Sequence, residues 1–331
     1  MNTNLYPISS WSDKNYNQIK HNNSVAIIMR TKNRPVLLAR AFESVIQQTH
    51  HEWHLYLIND GGDPKPIYEL IELNSIDLEN KITFINNSKS FGREAASNCG
   101  LKIATEEFLV IHDDDDAWHR DFLKETVTFL NQNKNSIAVA TNYTVVNEKI
   151  QKNQAIQINT ENWLYCHKQI DIFALLQFNV LPQICLIIRM EIAKKIGEFN
   201  EKMPILGNWD YMLRLFRAGE IKTINKNLAF HYHRMNNTSE RVTSNLFDNY
   251  YQEYRDSLVR QSLQENQGNY GILHTILSDS RIRHEQINQK IGLLEYQLAE
   301  IQNNIWYLKR KSFPLKRFAA RIRHFIKKIR S

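Results

Sequence analysis

The sequence predicts an α/β protein: a mostly parallel sheet sandwiched by helices, with a helical extension after it. Three observations predict this. Short apolar runs alternate with segments of helical periodicity from Val25 to about Asn131. Those runs are apolar at nearly every position, as strands covered on both faces are. Beyond Asn245, proline is absent as far as Lys311 and glycine is sparse.

Taken in order, VAIIMR (Val25–Arg30) reads as a buried strand. Pro35 then stands at a first helical position, and Val36, Leu37, Ala39, Ala41, Phe42, Val45 and Ile46 recur at helical spacing. WHLYLIN (Trp53–Asn59) is a second strand, closed by the turn signal DGGDP. KITFIN (Lys81–Asn86) is a third, followed by a helix through Ala95–Ala104. FLVIH (Phe108–His112) is a fourth and runs directly into four aspartates. Ligands of such sheets bind beyond the carboxyl ends of the strands, which singles out Thr31, Asp60 and Asp113–Asp116. The middle third is less regular: ICLIIR (Ile184–Arg189) and Leu228–Tyr232 read as strands, and Asn208–Ala218 as a short helix.

Two features mark the C-terminal part. Ile287, Ile291, Leu294, Leu298, Ile301, Ile305 and Leu308 are spaced 4-3-4-3-4-3, the seam of a coiled coil over 287–308. That seam supports homo-oligomerisation; the alternative is an amphipathic helix lying on its own domain. In the tail, Leu315, Phe318, Ala319, Ile322, Phe325, Ile326 and Ile329 share one helical face, and lysines and arginines fill the rest. Such a helix over 315–330 suits an anionic membrane surface. A nucleic-acid arm or a protein partner is the alternative, but an arm that tracks phosphates has no need of an aliphatic stripe.

Composition narrows the function classes. The chain has 331 residues, 42% apolar and 23% charged, which excludes wholesale disorder. Lys and Arg (42) exceed Asp and Glu (35) by seven, yet ten of the basic residues fall in Lys309–Ser331 without one acid. The rest of the chain is therefore net acidic. Cys99, Cys166 and Cys185, odd in number and widely spaced, make neither a disulfide framework nor a zinc pattern and predict reduced thiols. The N-terminus lacks a signal-peptide pattern, and Phe173–Met190 is interrupted by Gln177, Asn179, Pro182 and Gln183 before it could span a bilayer. The expectation is a cytoplasmic protein attached peripherally to the inner leaflet.

Four adjacent carboxylates at a strand's end offer hard oxygen ligands to a divalent cation, though an acidic run by itself also fits a solvated turn. No G-x-G-x-x-G, G-K-[ST], H-E-x-x-H or G-x-S-x-G pattern supports another chemistry.

The segments VAIIMRTKNRPVLLARAFESVIQQT, HLYLINDGGD and FGREAASNCGLKIATEEFLVIHDDDDAW together resemble the donor half of family 2 glycosyltransferases with the Rossmann-like GT-A fold. LGNWDYMLRL (Leu206–Leu215) resembles the family's acceptor-side segment. The resemblance implies an inverting transferase that uses Mn2+ or Mg2+ and a nucleoside diphosphate sugar, a UDP-sugar. By position it makes Asp115 the metal contact, with Asp113 towards the ribose and Asp114 beside them. Asp60 would read the base, Thr31 would flank base and ribose, and Asn98 would belong to the donor side. Asp210 matches the catalytic base, although an Asp in the first turn of a helix is also favoured by the macrodipole. Trp209 would be an acceptor wall or a core residue.

Two departures stand out. Ser97 occupies the place of a family arginine that meets the diphosphate, and Arg93, on the same helical face, is the substitute. The cluster His231-Tyr232-His233-Arg234 differs in order from the family pattern, with His233 a candidate metal ligand.

The predicted organisation is an N-terminal extension (1–20), a glycosyltransferase domain (21–245), a helical region (246–311) and the basic helix (312–331). The implied acceptor is a glycan, lipid-linked in bacterial surface polysaccharide assembly. The alternative is a non-catalytic GT-A scaffold that organises partner enzymes at the membrane.

Overall fold

Every residue of β1 (Val25–Thr31) is buried, as an unbroken apolar run demands. The computed structural model describes residues 19, 22–151, 154–163, 170, 175, 179, 181–203, 207–234, 287–305 and 321–324. The chain divides into two units, Met1–Leu258 and Val259–Ser331. The predicted 1–20 extension apart from residue 19, all of 235–286 and 306–311, and the tail apart from 321–324 lie outside the described residues.

In the first unit, Pro35 opens α1 (Pro35–Ile46), which buries Leu37, Leu38, Ala41, Phe42 and Val45. Next come β2 (Trp53–Asp60), α2 (Lys65–Leu73), β3 (Ile82–Asn87), α3 (Arg93–Ile103) and β4 (Phe108–Asp113). β1 pairs in parallel with β2 and with β4, and β2 with β3. The chain thus steps outward from β1 to β3 and returns on the far side of β1. This reversal opens a crevice beyond the carboxyl ends of β1 and β4, where Thr31 and Asp113 lie.

The remaining elements are β5 (Ala117–Trp118), α4 (Phe122–Gln132), β6 (Ala138–Gln151), β7 (Gln154–Trp163) and β8 (Leu186–Arg189). After them come α5 (Met190–Ile196), α6 (Gly207–Ala218) and β9 (Ile221–Arg234). Among the described residues the sheet has nine strands in the order β3-β2-β1-β4-β8-β6-β9-β5, with β7 added to β6. The parallel expectation holds for β3-β2-β1-β4 and for β6 with β9. β8, β7 and β5 run antiparallel to their neighbours, so the sheet is mixed.

One apolar core joins both halves, including Phe42, Phe108, Phe122, Trp209 and Tyr211. No helix among the described residues is long and apolar enough to cross a membrane. In the second unit, residues 287–305 and 321–324 are helical.

Candidate active site

The four aspartates after β4 have four different environments. A turn bond from Asp116 N–H to the Asp113 carbonyl (3.3 Å) folds the run over. Asp113 pairs with the buried Arg30 at 2.5 Å. Asp114 accepts a bond from the Thr31 hydroxyl at 2.7 Å. Asp115 meets Arg34 at 3.2 Å and also pairs with Arg234. Asp116 accepts bonds from His231 Nδ1 (3.0 Å) and from the Tyr232 N–H (2.9 Å). Side-chain exposure separates them: 29% for Asp113 and 19% for Asp115, against 7% for Asp114 and none for Asp116.

The charges follow from these partners. Desolvation works against Asp113, but Arg30 and then Arg93 hold its carboxyl below the ordinary carboxylate range. Burial, then the adjacent Asp115 charge, push Asp114 up to about 6. Burial by itself would lower His231; Asp116 outweighs it and pushes the imidazole up to about 9, while burial pushes the Asp116 carboxyl upward against the His231 charge. Burial, with the charges of His231 and Arg234, keeps His233 below its usual value.

A second layer of charge steadies the run. Glu148 on β6, 2% exposed, accepts from Arg40 on α1 (2.7 Å) and from Arg234 on β9 (2.9 Å). Arg40 also donates to the Asp115 carbonyl (2.6 Å) and stacks over the Tyr232 ring, 3.4 Å from its centroid. Arginines from β1, α1 and β9 and from the loop before α1 therefore converge on one acidic turn.

Asp60 sits at the end of β2 with both oxygens engaged inside the protein. It accepts from Ser90 Oγ (2.6 Å), Phe91 N–H (2.9 Å), Gly92 N–H (3.0 Å) and Asn87 Nδ2 (3.2 Å). Gly61, next to it, has φ +74°, and a Cβ there would lie 2.3 Å from Ser90 N. Only glycine lets this turn pass so close to the loop. Asn98 is fully buried and clasps the loop after α5, donating to the Phe199 carbonyl (2.9 Å) and accepting from its N–H (2.8 Å). The Ser97 hydroxyl turns back to the Arg93 carbonyl at 3.0 Å. Arg93 is partly exposed and lies 3.5 Å from Glu94. Glu94 is buried, which pushes its carboxyl up, and it fills the space beside Gly207, where a Cβ would come within 2.3 Å of it.

Gly207 begins α6, which carries Asp210. The Asp210 carboxylate is buried and held by Arg214 at 2.7 Å, and that guanidinium also caps the Ile196 and Glu198 carbonyls. Trp209 is 1% exposed and donates its indole N–H to the Leu175 carbonyl (2.6 Å). Of its two sequence readings, this burial puts it with the core. A cavity of about 180 Å³ beside Thr31 and Arg34 is lined also by Asn33, Pro35, Leu38 and Ile67. It is smaller than the roughly 300–1,000 Å³ usual for small-molecule pockets.

The family model described as "Glycosyl transferase family 2" matches residues 26–197, just over half of the chain. The chain belongs to glycosyl transferase family 2. It is 32% identical over 132 residues to an uncharacterized glycosyltransferase of Rickettsia felis, covering 40% of this chain and 21% of that protein. It is 26% identical over 123 residues to the Escherichia coli UDP-Glc:alpha-D-GlcNAc-diphosphoundecaprenol beta-1,3-glucosyltransferase WfgD, covering 37% of this chain and 47% of WfgD. The chain therefore matches less than half the length of either relative. S. aureus TarS 1–349 in complex with UDP-GlcNAc superposes with a TM-score of 0.51 at 13% identity, covering 65% of this chain and 60% of TarS. That likeness shows the GT-A fold.

In this family 2 chain the structure brings Thr31, Asp113, Asp114 and Asp115 together at the crevice, with Arg93 in electrostatic range of Asp113 and His233 of Asp115. Asp60, Asn98 and Trp209 are occupied by neighbouring loops and core. The sequence reading did not single out Arg30, Arg34, Arg40, Glu94 or Glu148. Arg30 carried a signal: a charged residue closing an otherwise apolar buried strand needs a partner at the strand's end.

Proposed function

We propose that this glycosyltransferase moves a sugar from a nucleoside diphosphate sugar, a UDP-sugar, to a hydroxyl of a glycan acceptor with inversion at the anomeric carbon. The observation that carries this reading is the sorting of the acidic run. Asp113 and Asp115 keep an exposed surface at the β1/β4 crevice, and arginines surround them. A leaving diphosphate gathers negative charge, and a site for it must offer compensating positive charge. Arg34 and Arg234 supply it at Asp115, and Arg93 near Asp113.

Among the described residues no three His, Cys, Asp or Glu side chains gather into a metal cage. A cage is not required, because Mg2+ keeps its waters and binds one or two carboxylates plus substrate phosphates. Asp115 would hold Mn2+ or Mg2+ in that way, with Asp113 towards the ribose and His233, in electrostatic range of Asp115, as the candidate second ligand. When bound, the ion would act as a Lewis acid on the leaving diphosphate. Thr31 and Asp114 would brace the donor side, and Asp60 and Asn98 would contribute by holding the loops around it. Asp210 would take the proton from the acceptor hydroxyl, its carboxylate oriented by Arg214.

The acceptor reading is a lipid-linked glycan of a bacterial surface polysaccharide, met at the cytoplasmic leaflet. It rests on the basic amphipathic tail 315–330, of which Arg321, Ile322, Arg323 and His324 are described as helical and exposed. WfgD, by its name, acts on a diphosphoundecaprenol acceptor, which supports the same reading.

The test is nucleoside diphosphate release from a panel of sugar nucleotides with Mn2+, Mg2+ or chelator, for wild type and Asp115→Ala. Metal-dependent release from one donor, lost in the variant, is expected. No release, together with no binding by calorimetry, would overturn the enzyme reading in favour of a non-catalytic scaffold. For the tail, anionic vesicles should sediment the full chain and leave Phe318→Ala/Phe325→Ala in solution. Equal sedimentation of both would remove the membrane reading.

A further inference from the structure

We infer that residues 287–305 bind a second copy of this chain as a parallel, in-register, two-stranded coiled coil. Residues 287–305 are helical without a break. The seam residues Ile287, Ile291, Leu294, Leu298, Ile301 and Ile305 are between 47% and 62% exposed. Their 4-3 spacing makes the seam that a partner helix fills, with the exposed Leu293 and Tyr296 standing off it.

Charge selects the occupant and its direction. With Ile291, Leu298 and Ile305 at a and Ile287, Leu294 and Ile301 at d, the flanking g and e positions include Lys290 at g and Glu295 at e. In a parallel in-register pair, each g residue faces the e residue five positions further along the other helix. Lys290 then faces Glu295 of the second copy, and symmetry makes the pair twice. Gln297 meets Gln302 in the next heptad, so no like charges oppose one another. An antiparallel pair sets g against g and e against e, which separates Lys290 from Glu295.

The layers split on strand number: Ile291–Leu294 has the Ile-at-a, Leu-at-d order that favours two strands, whereas Leu298–Ile301 reverses it and Ile287 also stands at d. Two strands are the smallest assembly that makes the Lys290–Glu295 pair twice. The seam is about 30 Å long at 1.5 Å per residue, short enough for a dimer that dissociates on dilution. This inference is independent of the donor chemistry, because none of its residues belongs to the site.

Sedimentation equilibrium of the full chain should give a concentration-dependent mass rising to twice 39.1 kDa. Leu294→Asp/Leu298→Asp should remain monomeric while its thermal unfolding matches that of wild type. Lys290→Glu, which sets two acids against each other twice, should weaken the dimer about tenfold, and Lys290→Glu/Glu295→Lys should restore it. Leu294→Cys should form a disulfide-linked dimer on mild oxidation, above the level of wild type. A wild-type monomer at all concentrations, or a dimer that survives Leu294→Asp/Leu298→Asp, would overturn the interface. A trimeric mass would overturn the strand number. Failure of the charge swap to restore association, or of Leu294→Cys to cross-link, would overturn the parallel register.

Discussion

The two halves of the sheet are built differently. In β3-β2-β1-β4 the central strands β1, β2 and β4 are almost wholly apolar inside, and polar groups gather at their carboxyl ends. In the β8-β6-β9-β5 half, β6 buries Asn142, Asn147 and Glu148 along its length. The acidic run crosses between the halves. Asp113 and Asp114 are tied to Arg30 and Thr31 of β1, whereas Asp115 and Asp116 are tied to Arg234 and His231 of β9. The first half positions the crevice on packed apolar strands, with the Arg30–Asp113 pair at their ends. The second positions it with a buried network of charges around Glu148.

The largest effect should come from removing the charge hub. Glu148→Ala leaves Arg40 and Arg234 without their shared carboxylate in a buried setting, and losing one partner of a buried pair costs about 3–5 kcal/mol. Urea denaturation measures it, and a loss under about 1 kcal/mol would break the contrast between the halves. In the packing half the counterpart is Leu57→Ala. Leu57 is fully buried in β2, and the cavity should cost about 2–5 kcal/mol. Neither cost should move much with salt, because a buried pair is screened far less than an exposed one and a cavity carries no charge. The same urea titration reads the Leu57→Ala loss, and one under about 1 kcal/mol would show that packing does not hold this half.

Asp60 sharpens the comparison, because it is a charged anchor inside the packing half. Burial opposes its ionisation, but bonds from Phe91, Ser90, Asn87 and Gly92 bring its pKa below the ordinary 3.8. A depressed folded pKa gives stability that is fully present above the unfolded value and is lost as pH falls through the folded one. Asp60→Ala should therefore cost about 1.5–3 kcal/mol at neutral pH, the range for hydrogen bonds to a charged group. The cost should shrink below about pH 4. A cost that is the same at pH 7 and at pH 3 would mean that the carboxylate's charge does not anchor the loop.

The same contrast explains what the sequence made legible. β1, β2 and β4 are continuous apolar runs, so their positions, Pro35 at the start of α1 and the aspartates after β4 could all be read directly. β6 was missed because buried polar residues such as Asn142 and Glu148 interrupt the pattern that marks a strand, and β7 because its residues 155–161 are exposed and mostly polar. The division of labour among the aspartates was also hidden. It depends on partners far along the chain: Arg234 is 119 residues from Asp115, and Arg40 is 108 from Glu148. Spacing within a motif cannot report contacts of that range. The position of Asp60 could be read, but its saturation by the loop of residues 87–92 could not, because that loop closes only in three dimensions.

The smallest expected effect tests whether burial or charge itself gives the second half its strength. Lys226 on β9 meets Glu125 on α4 at 2.8 Å, in the same half as Glu148 and with opposite charges at similar distance. Its side chains are 54% and 37% exposed, where Glu148 is 2%. Water already solvates both partners and screens their attraction, so Glu125→Gln should cost no more than about 0.5 kcal/mol in the same urea titration. A cost approaching that of Glu148→Ala would mean that an ion pair on this sheet holds equally well in water. The difference between the halves would then lie in the number of charges and not in their burial.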